Sequence, residues 1–299
     1  MTPNGRGALF MVLGMGGFAV EDACIKVVAR HLPVGQILLV LGLGGGLLFG
    51  ALAWALGESP LSRRALHPAV LGRNLAEMIG TFGYVLAVAF SPLTTATAIF
   101  QAMPLAVTMG AALFLGERVG WRRWLAIAAG FLGVMIVVRP GAEGFAPASL
   151  LALLGVVALA ARDLVTRAVP RDTGSMLLTA WGFGAVALVG AAQLAVTGGA
   201  AVPSSVEWAW LATALLSGTV GYWLLTASTR LGELSAVMPF RYVRLLFALM
   251  IGAIVFGERP DAWTVLGSTV IVGSGLYAFA RERARALASR GLPQGAGPG

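Results

Sequence analysis

A stripe of polar side chains interrupts the apolar stretch 69–89. Arg73, Glu77, Thr81 and Tyr84 follow one another at spacings of four and three residues, so they share one face of a helix. A charged side chain inside an apolar span costs about 2.5–3.5 kcal/mol on insertion scales, so each one requires a partner or a function. This stripe therefore predicts a polar surface that faces the interior of a helix bundle.

Four further charges lie in other apolar stretches. Arg162 and Asp163 are adjacent, and Arg241 and Arg244 share a helix face three residues apart. Together with Arg73 and Glu77 they form a predicted layer with a surplus of two positive charges. Two interpretations remain open: the groups pair with one another and hold the helices together, or an arginine holds a ligand carboxylate in a bidentate pair. A third chemistry is proton binding by Glu77 or by Glu21, an acid of the first apolar stretch.

Several other chemistries have no residues to support them. The single cysteine, Cys24, excludes a disulfide framework, and His31 and His67 stand near the ends of apolar stretches without partners. We expect no metal site, no cofactor and no catalytic residues. A phosphate-binding glycine-rich loop with lysine is absent, since Lys26 is the only lysine. The sequence thus predicts that the protein is not an enzyme.

The composition is that of an integral membrane protein. Of 299 residues, 58% are hydrophobic and only 11% are charged, against roughly 25% charged in a soluble domain. The net charge of +8 is scattered between apolar runs, so we expect no nucleic-acid partner. Stretches of about 20 apolar residues, each long enough to cross a bilayer, predict ten helices at 7–28, 34–56, 69–89, 93–115, 121–138, 147–168, 174–196, 207–229, 234–256 and 263–280.

The basic residues between these spans predict an orientation. Thirteen arginines fall on the side of the N-terminus and four basic residues on the other. Because positive residues concentrate in cytoplasmic loops, we expect both termini to lie in the cytoplasm. The membrane is expected to be a bacterial-type inner membrane. The tail, 283–299, is predicted to be disordered.

The chain contains an internal duplication. Asp22 recurs as Asp163 and Lys26 as Arg167, both at an offset of 141 (163 − 22). Gly116-Glu117 recurs at the same offset as Gly257-Glu258. The sequence therefore predicts an all-α membrane protein with repeats at 1–140 and 141–282. With five helices each, the second must insert upside down. Inverted repeats of this kind typify secondary transporters, with the substrate site near the midplane.

This arrangement resembles the drug/metabolite transporter superfamily, and within it the EamA-type exporters. The resemblance spans about residues 7–280 and is carried best by Pro104, Leu115-Gly116-Glu117 and the Gly130/Gly133 pair. Among these exporters the chain is most similar to those of aromatic and neutral amino acids. The second repeat departs from this pattern. The position equivalent to Pro104 is occupied by Leu245, and the proline of that span occurs earlier, at Pro239. The resemblance implies that Glu117 and Glu258 are features of the fold.

From depth and residue type we predict which side chains surround the substrate. The central cavity is expected to be lined by Tyr84, Thr81, Glu77, Phe100, Gln101, Trp181, Tyr222, Arg241, Tyr242 and Arg244. Ion pairs or gates are expected at Asp22, Lys26, Arg162 and Asp163, with Asp22 and Lys26 paired four residues apart. Pro104 and Pro239 are expected to break their helices beside the cavity.

The protein is predicted to be a secondary transporter that lies in the lipid bilayer, binds a small-molecule substrate and works as a monomer. It would export small amphipathic metabolites by alternating access around one site. Aromatic and neutral amino acids are the substrates that we expect. Two alternatives remain: a carrier of phosphorylated or nucleotide-linked metabolites, which the inner arginines favour, and a lipophilic drug effluxer.

Overall fold

In a computed structural model of the chain, the described residues fold as helices joined by short turns. The description covers residues 1–117, 119–141, 146–170, 172–231 and 234–290, without the side chains of 230, 234, 235 and 282–290. The helices are α1 (Pro3–Val28), α2 (Val34–Ala55), α3 (Pro68–Phe90), α4 (Leu93–Phe100), α5 (Met103–Phe114), α6 (Trp121–Val138), α7 (Ala148–Thr166), α8 (Ser175–Thr197), α9 (Ser205–Leu231), α10 (Leu234–Val237), α11 (Val243–Phe256) and α12 (Ala262–Arg290).

Nine segments of the described chain are long and apolar enough to cross a membrane. Two of them, Leu93–Phe114 and Met238–Phe256, each combine more than one helical element. The predicted span at 69–89 is not among the nine. It is α3, whose 23 residues have the required length but carry the polar stripe that lowers its hydropathy.

Both broken spans are interrupted next to a proline. α4 ends at Phe100 and α5 begins at Met103, so Pro104 lies in the first turn of α5, where its missing N–H costs no hydrogen bond. Pro239 lies in a 3₁₀ turn, Met238–Tyr242, that links α10 to α11. The predicted breaks are therefore present.

The main helix contacts join the first half of the chain to the second. α1 packs along α9, α2 along α8, α3 along α7 and α6 along α12. In each repeat the first helix thus packs against the third helix of the other repeat, as a pseudo-twofold relation requires. The bundle has a terminal face, at which α1 begins and α5 and α7 end, and a far face, at which α1, α3 and α11 end.

Glycines at equivalent positions allow these helices to approach closely. A Cβ on Gly14 of α1 would lie 3.0 Å from the carbonyl oxygen of Gly221 on α9. The equivalent contact places a Cβ on Gly155 of α7 3.2 Å from the carbonyl oxygen of Gly80 on α3. Small residues are enriched at contacts between membrane helices because they let the two backbones approach closely.

The tightest of these approaches predicts a stability defect. A Cβ on Gly42 of α2 would lie 2.4 Å from the backbone nitrogen of Ala187 on α8. Because backbone atoms cannot turn aside, Gly42→Ala should destabilise the protein by about 1–3 kcal/mol. Gly184→Ala on α8 is the control, since nothing lies within 4 Å of its Cβ position, and alanine favours a helix by up to about 1 kcal/mol. Thermal unfolding in detergent compares them, and equal midpoints would refute this packing explanation.

The C-terminal helix is longer than expected. α12 continues to Arg290, so residues 283–290 of the predicted disordered tail are helical. Alanine, leucine and arginine in this segment favour a helix, which explains the extension. The rest of the predicted tail, residues 291–299, lies outside the described residues.

Candidate functional site

A cavity of about 240 Å³ lies between the two repeats. Its walls come from both halves of the chain: α1, α2, α3 and α4 on one side, and α7, α8, α9 and α11 on the other. Its surface is mostly apolar with a few polar side chains, which is the general character of small-molecule sites. Charged groups form two clusters at its wall.

The first cluster, which we call the inner cluster, consists of Arg73, Glu77, Arg162 and Asp163. Glu77 accepts hydrogen bonds from Arg73 at 3.2 Å, from Arg162 at 3.0 Å and from the hydroxyl of Thr81 at 3.1 Å. Arg162 also bonds Asp163 at 2.7 Å. Two arginines and two carboxylates are therefore held in one balanced network across α3 and α7.

The second cluster, the outer cluster, consists of Asp22, Tyr84 and Arg244. Nη2 of Arg244 lies 2.7 Å from the carboxylate of Asp22, and the hydroxyl of Tyr84 donates to the same carboxylate at 3.0 Å. The Asp22 side chain is only 3% exposed and that of Arg244 11%. Since α1, α3 and α11 each supply one member, this cluster locks three helices together.

Aromatic rings enclose the guanidinium of Arg244. It lies 5.3 Å from the ring centroid of Phe18, 5.5 Å from that of Tyr84 and 5.2 Å from that of Phe100. Each distance is within the range of a cation–π contact. With Asp22 on its edge and rings on its faces, Arg244 is a fixed part of the wall.

Glu21 is the one carboxyl of the cavity wall without such partners. It lies next to Asp22 on α1 and lines the cavity. Among the described residues it makes no hydrogen bond and no ion pair. Gly218 of α9 faces it, and a Cβ there would lie 2.5 Å from the carboxyl carbon of Glu21.

The remaining wall is aromatic and apolar. The hydroxyl of Tyr222 lies 2.9 Å from that of Thr179, and both residues line the cavity. Phe183 lines it as well and stacks on Phe49 with ring centroids 5.6 Å apart. Such a wall suits a ligand with a planar ring and polar ends.

Two ion pairs related by the internal repeat lie at opposite faces of the bundle. Lys26 pairs with Glu258 at 3.4 Å near the far face, and Arg167 pairs with Glu117 near the terminal face. Both members are shifted by 141 residues (167 − 26 and 258 − 117). Each pair joins the first helix of one repeat to the glutamate after the fourth span of the other, and we call them the repeat-related latches.

The two latches differ in burial. Lys26 and Glu258 are 13% and 12% exposed, whereas Arg167 and Glu117 are 50% and 47% exposed. Lys26 also donates to the carbonyl oxygen of Ser91, and Glu258 accepts from the backbone nitrogens of Leu93, at 2.7 Å, and Thr94, at 3.1 Å. A carboxylate at the start of α4 is favoured by the helix dipole. The far-face latch is thus the more firmly closed one.

Half of the predicted residues meet at the cavity. Its wall includes Asp22, Glu77, Thr81, Tyr84, Phe100, Arg162, Tyr222 and Arg244. Asp163 joins through the inner cluster, and Arg241 interacts electrostatically with Asp163 from outside the cavity wall.

Other predicted residues lie elsewhere. Gln101 donates its side-chain amide to the carbonyl of Arg241 at 3.3 Å, and Trp181 donates to the carbonyl of Pro60 at 2.8 Å. The hydroxyl of Tyr242 faces Gly275 on α12. Pro104 and Pro239 are not part of the cavity wall either. Gln101, Trp181 and Tyr242 are likewise not part of the cavity wall in this conformation.

The predicted Asp22–Lys26 pair is not formed, because each member has a stronger partner on another helix. Asp22 binds Arg244, and Lys26 binds Glu258. The expected single layer of Glu77 and Arg244 is also absent: Arg244 reaches Tyr84, seven residues beyond Glu77, or about two helical turns.

Reasoning from the sequence left some wall residues out of the site. Phe18, Thr179, Gly182 and Phe183 line the cavity, and no spacing or charge in the sequence distinguished them from packing residues. Arg73 and Glu21, by contrast, stand out in the sequence, because a charge inside an apolar span requires a partner or a function.

An inverted pair of five-helix repeats around a cavity with charged clusters at its wall is the architecture of a multi-pass membrane transporter. Comparison with known proteins agrees. The sequence matches the EamA-like transporter family twice, over residues 5–139 and 146–279. The chain belongs to this family.

Its relatives carry several names. The chain is 31% identical to a riboflavin transporter of Rhizobium johnstonii over 215 residues, 72% of this chain and 71% of the relative. It is 28% identical to an S-adenosylmethionine uptake transporter of Rickettsia conorii over 214 residues, 71% of each chain. A pseudopaline exporter of Pseudomonas aeruginosa is 27% identical over 268 residues, 89% of this chain and 93% of that one.

A solved structure shows the same fold. Its TM-score is 0.60 at 18% identity, and the match covers 93% of this chain and 98% of the other. The helix arrangement described above is therefore one that an experimental structure contains.

Proposed function

We propose that this protein is a secondary transporter that carries small amphipathic metabolites with a planar ring through the cavity between its repeats. The observation that supports this most is the cavity itself: aromatic walls from both repeats with charged clusters held across the repeat interface. Alternating access then requires that the two faces open in turn.

The repeat-related latches supply the means for that exchange. The same contact occurs twice, once at each face. A conformation with one latch open and the other closed is therefore nearly equivalent to the reverse conformation. In the conformation seen here the latch at the far face is largely shielded from solvent, at 13% and 12% exposed, and that at the terminal face is exposed. This difference favours substrate access from the terminal face.

The wall favours uncharged, zwitterionic or cationic ligands over phosphorylated ones. Each of the three arginines that line the cavity, Arg73, Arg162 and Arg244, already contacts a carboxylate. A phosphate would have to displace Glu77 or Asp22, which would leave a buried carboxylate unpaired. The substrate class we favour is therefore heteroaromatic and not phosphorylated, a class that includes the riboflavin and S-adenosylmethionine named for the relatives.

Aromatic amino acids such as tryptophan are zwitterions and are the smaller candidates that this wall admits. The cavity volume of about 240 Å³ lies below the roughly 300–1,000 Å³ of sites for drug-sized ligands. A ligand as small as tryptophan fits this volume better than a flavin does.

Counterflow into liposomes that contain the purified protein tests both candidates. The probes are labelled riboflavin, S-adenosylmethionine, tryptophan and a sugar phosphate. We expect one of the first three to exchange and the sugar phosphate to be inert. Exchange of the sugar phosphate alone would overturn the proposal.

The wall can be tested in the same vesicles. Phe100 contacts Tyr84 with ring centroids 4.4 Å apart and lines the cavity. Phe100→Ala should weaken the apparent affinity for the transported probe about tenfold, since one aromatic contact contributes roughly 0.5–1.5 kcal/mol beyond the area it buries. Phe90→Ala is the control, because Phe90 lies on α3 with 64% of its surface exposed. Equal losses in both variants would argue against a substrate contact.

A further inference from the structure

Glu21 differs from every other acid around the cavity. Glu77 has two arginine partners, and Asp22 has Arg244 and Tyr84. Glu21 lines the same space without a hydrogen bond or an ion pair among the described residues. The only arginine of the outer cluster turns its guanidinium to Asp22, so the outer end of the cavity holds two acids and one base.

Among the described residues near Glu21, no second base compensates for the excess of acids. On α1 itself the titratable neighbours are Asp22, Cys24 and Lys26, and Lys26 is engaged by Glu258. The facing groups are Arg244 from α11, Tyr84 from α3 and Tyr222 from α9. Directly opposite lies Gly218, which offers no side chain.

An isolated carboxylate at this depth is costly, whereas the neutral acid avoids most of that cost. A second negative charge beside Asp22 adds repulsion. Since the cavity reaches Glu21, water from whichever face is open can deliver or remove a proton.

We propose that Glu21 is the proton-binding site of this transporter and couples substrate movement to protons. The carboxylate takes one proton from water at one open face, forms a single O–H bond, and returns that proton to water at the other face. The inference rests on the proposed transport function for its coupling, but the proton site itself can be tested without any substrate.

Infrared difference spectroscopy of the purified protein, titrated from mildly acidic to mildly alkaline pH, detects the site directly. We expect the carbonyl stretch of a protonated carboxyl that disappears as the pH rises. Glu21→Gln should remove this band, and Glu21→Asp, which keeps an acid there, should retain a shifted one. Glu77→Gln should leave the band, because Glu77 is already ionised against two arginines. A wild-type protein without the band, or a band that survives in Glu21→Gln, would overturn the proposal.

Coupling is then measured in liposomes with riboflavin, S-adenosylmethionine and tryptophan in turn. Wild-type protein should accumulate the transported probe at least tenfold when a pH gradient is imposed. Glu21→Gln should exchange the probe without responding to the gradient, and a full response in this variant would refute the coupling. If the infrared band depends on Glu21 but no probe is transported, the proton site stands and the proposed substrate class fails.

Discussion

Replacing Arg244 with methionine is expected to destabilise the protein by about 3–5 kcal/mol, since it leaves the carboxylate of Asp22 buried without a counter-ion. Of the described residues, the hydroxyl of Tyr84, at 3.0 Å, is the one hydrogen-bond donor that Asp22 would keep. Methionine fills much of the space between the three aromatic rings, so the loss reflects charge rather than a cavity. The unfolding midpoint should fall by roughly 10 °C.

Native Cys24 makes this measurement simple. Its thiol is the only one in the sequence and is 1% exposed. A thiol-reactive fluorogenic dye therefore reports unfolding in detergent without an added label. Transport of the active probe should be lost together with stability, because the outer cluster fixes three cavity helices.

Two controls separate pairing from other effects of the substitution. The double variant Asp22→Asn/Arg244→Met removes both charges and should recover most of the lost stability. Arg64→Met breaks the exposed pair with Asp172, whose side chains are 49% and 62% exposed, and should cost under about 1 kcal/mol. A double variant as unstable as Arg244→Met alone would show that the unpaired carboxylate is not the cause.

The fold could be predicted almost entirely from the sequence because its signals are local or repeated. Apolar length sets the number of helices, and the offset that relates Asp22 to Asp163 sets the two repeats. α3 shows where the local signal weakens: its stripe of Arg73 and Glu77 lowers its hydropathy while fitting it for the interior of the bundle. The continuation of α12 to Arg290 depends on helix propensity beyond the membrane span.

Which residues carry charge at the site could also be predicted, but their partners could not. Asp22 and Lys26 are neighbours on one helix, and this local spacing predicts a pair. Each instead binds a residue more than 200 positions away, Arg244 and Glu258, because buried charges take the partner with the best geometry. Only packing between repeats determines that choice. Aromatic wall residues such as Phe18 were missed for a related reason, since the same residue type serves packing everywhere in such a bundle.

The repeat-related latches could have been found by applying the offset to contacts rather than to residues. Lys26 corresponds to Arg167, and Glu117 to Glu258. Once one cross-repeat pair is seen, the pseudo-twofold relation predicts the other at the opposite face. The structure contains both, and the pair at the far face is the less exposed of the two.

Glu258→Gln is expected to open the far face of the bundle. Glu258 there holds Lys26 and receives three hydrogen bonds at the start of α4, from the backbone nitrogens of Leu93 and Thr94 and from the hydroxyl of Thr94. Removing its charge weakens contacts that exist only while that face is closed, and 1.4 kcal/mol is enough to change a conformational population tenfold. A cysteine at Val88 reports the change, because Val88 lines the cavity and is fully buried. It also lies three residues before Ser91, whose carbonyl oxygen Lys26 contacts at the far face.

In a Cys24→Ala background, labelling of Val88→Cys by a membrane-impermeant thiol reagent should rise about tenfold with Glu258→Gln. The rise should occur only when the reagent is added to the far face, which distinguishes opening from unfolding. Glu117→Gln is the matched control at the terminal face: its latch is exposed, so labelling from the far face should change less than twofold. If Glu117→Gln raised this labelling as much, or if the reagent reacted equally from both faces, the latches could not be acting as the two alternating closures of the cavity.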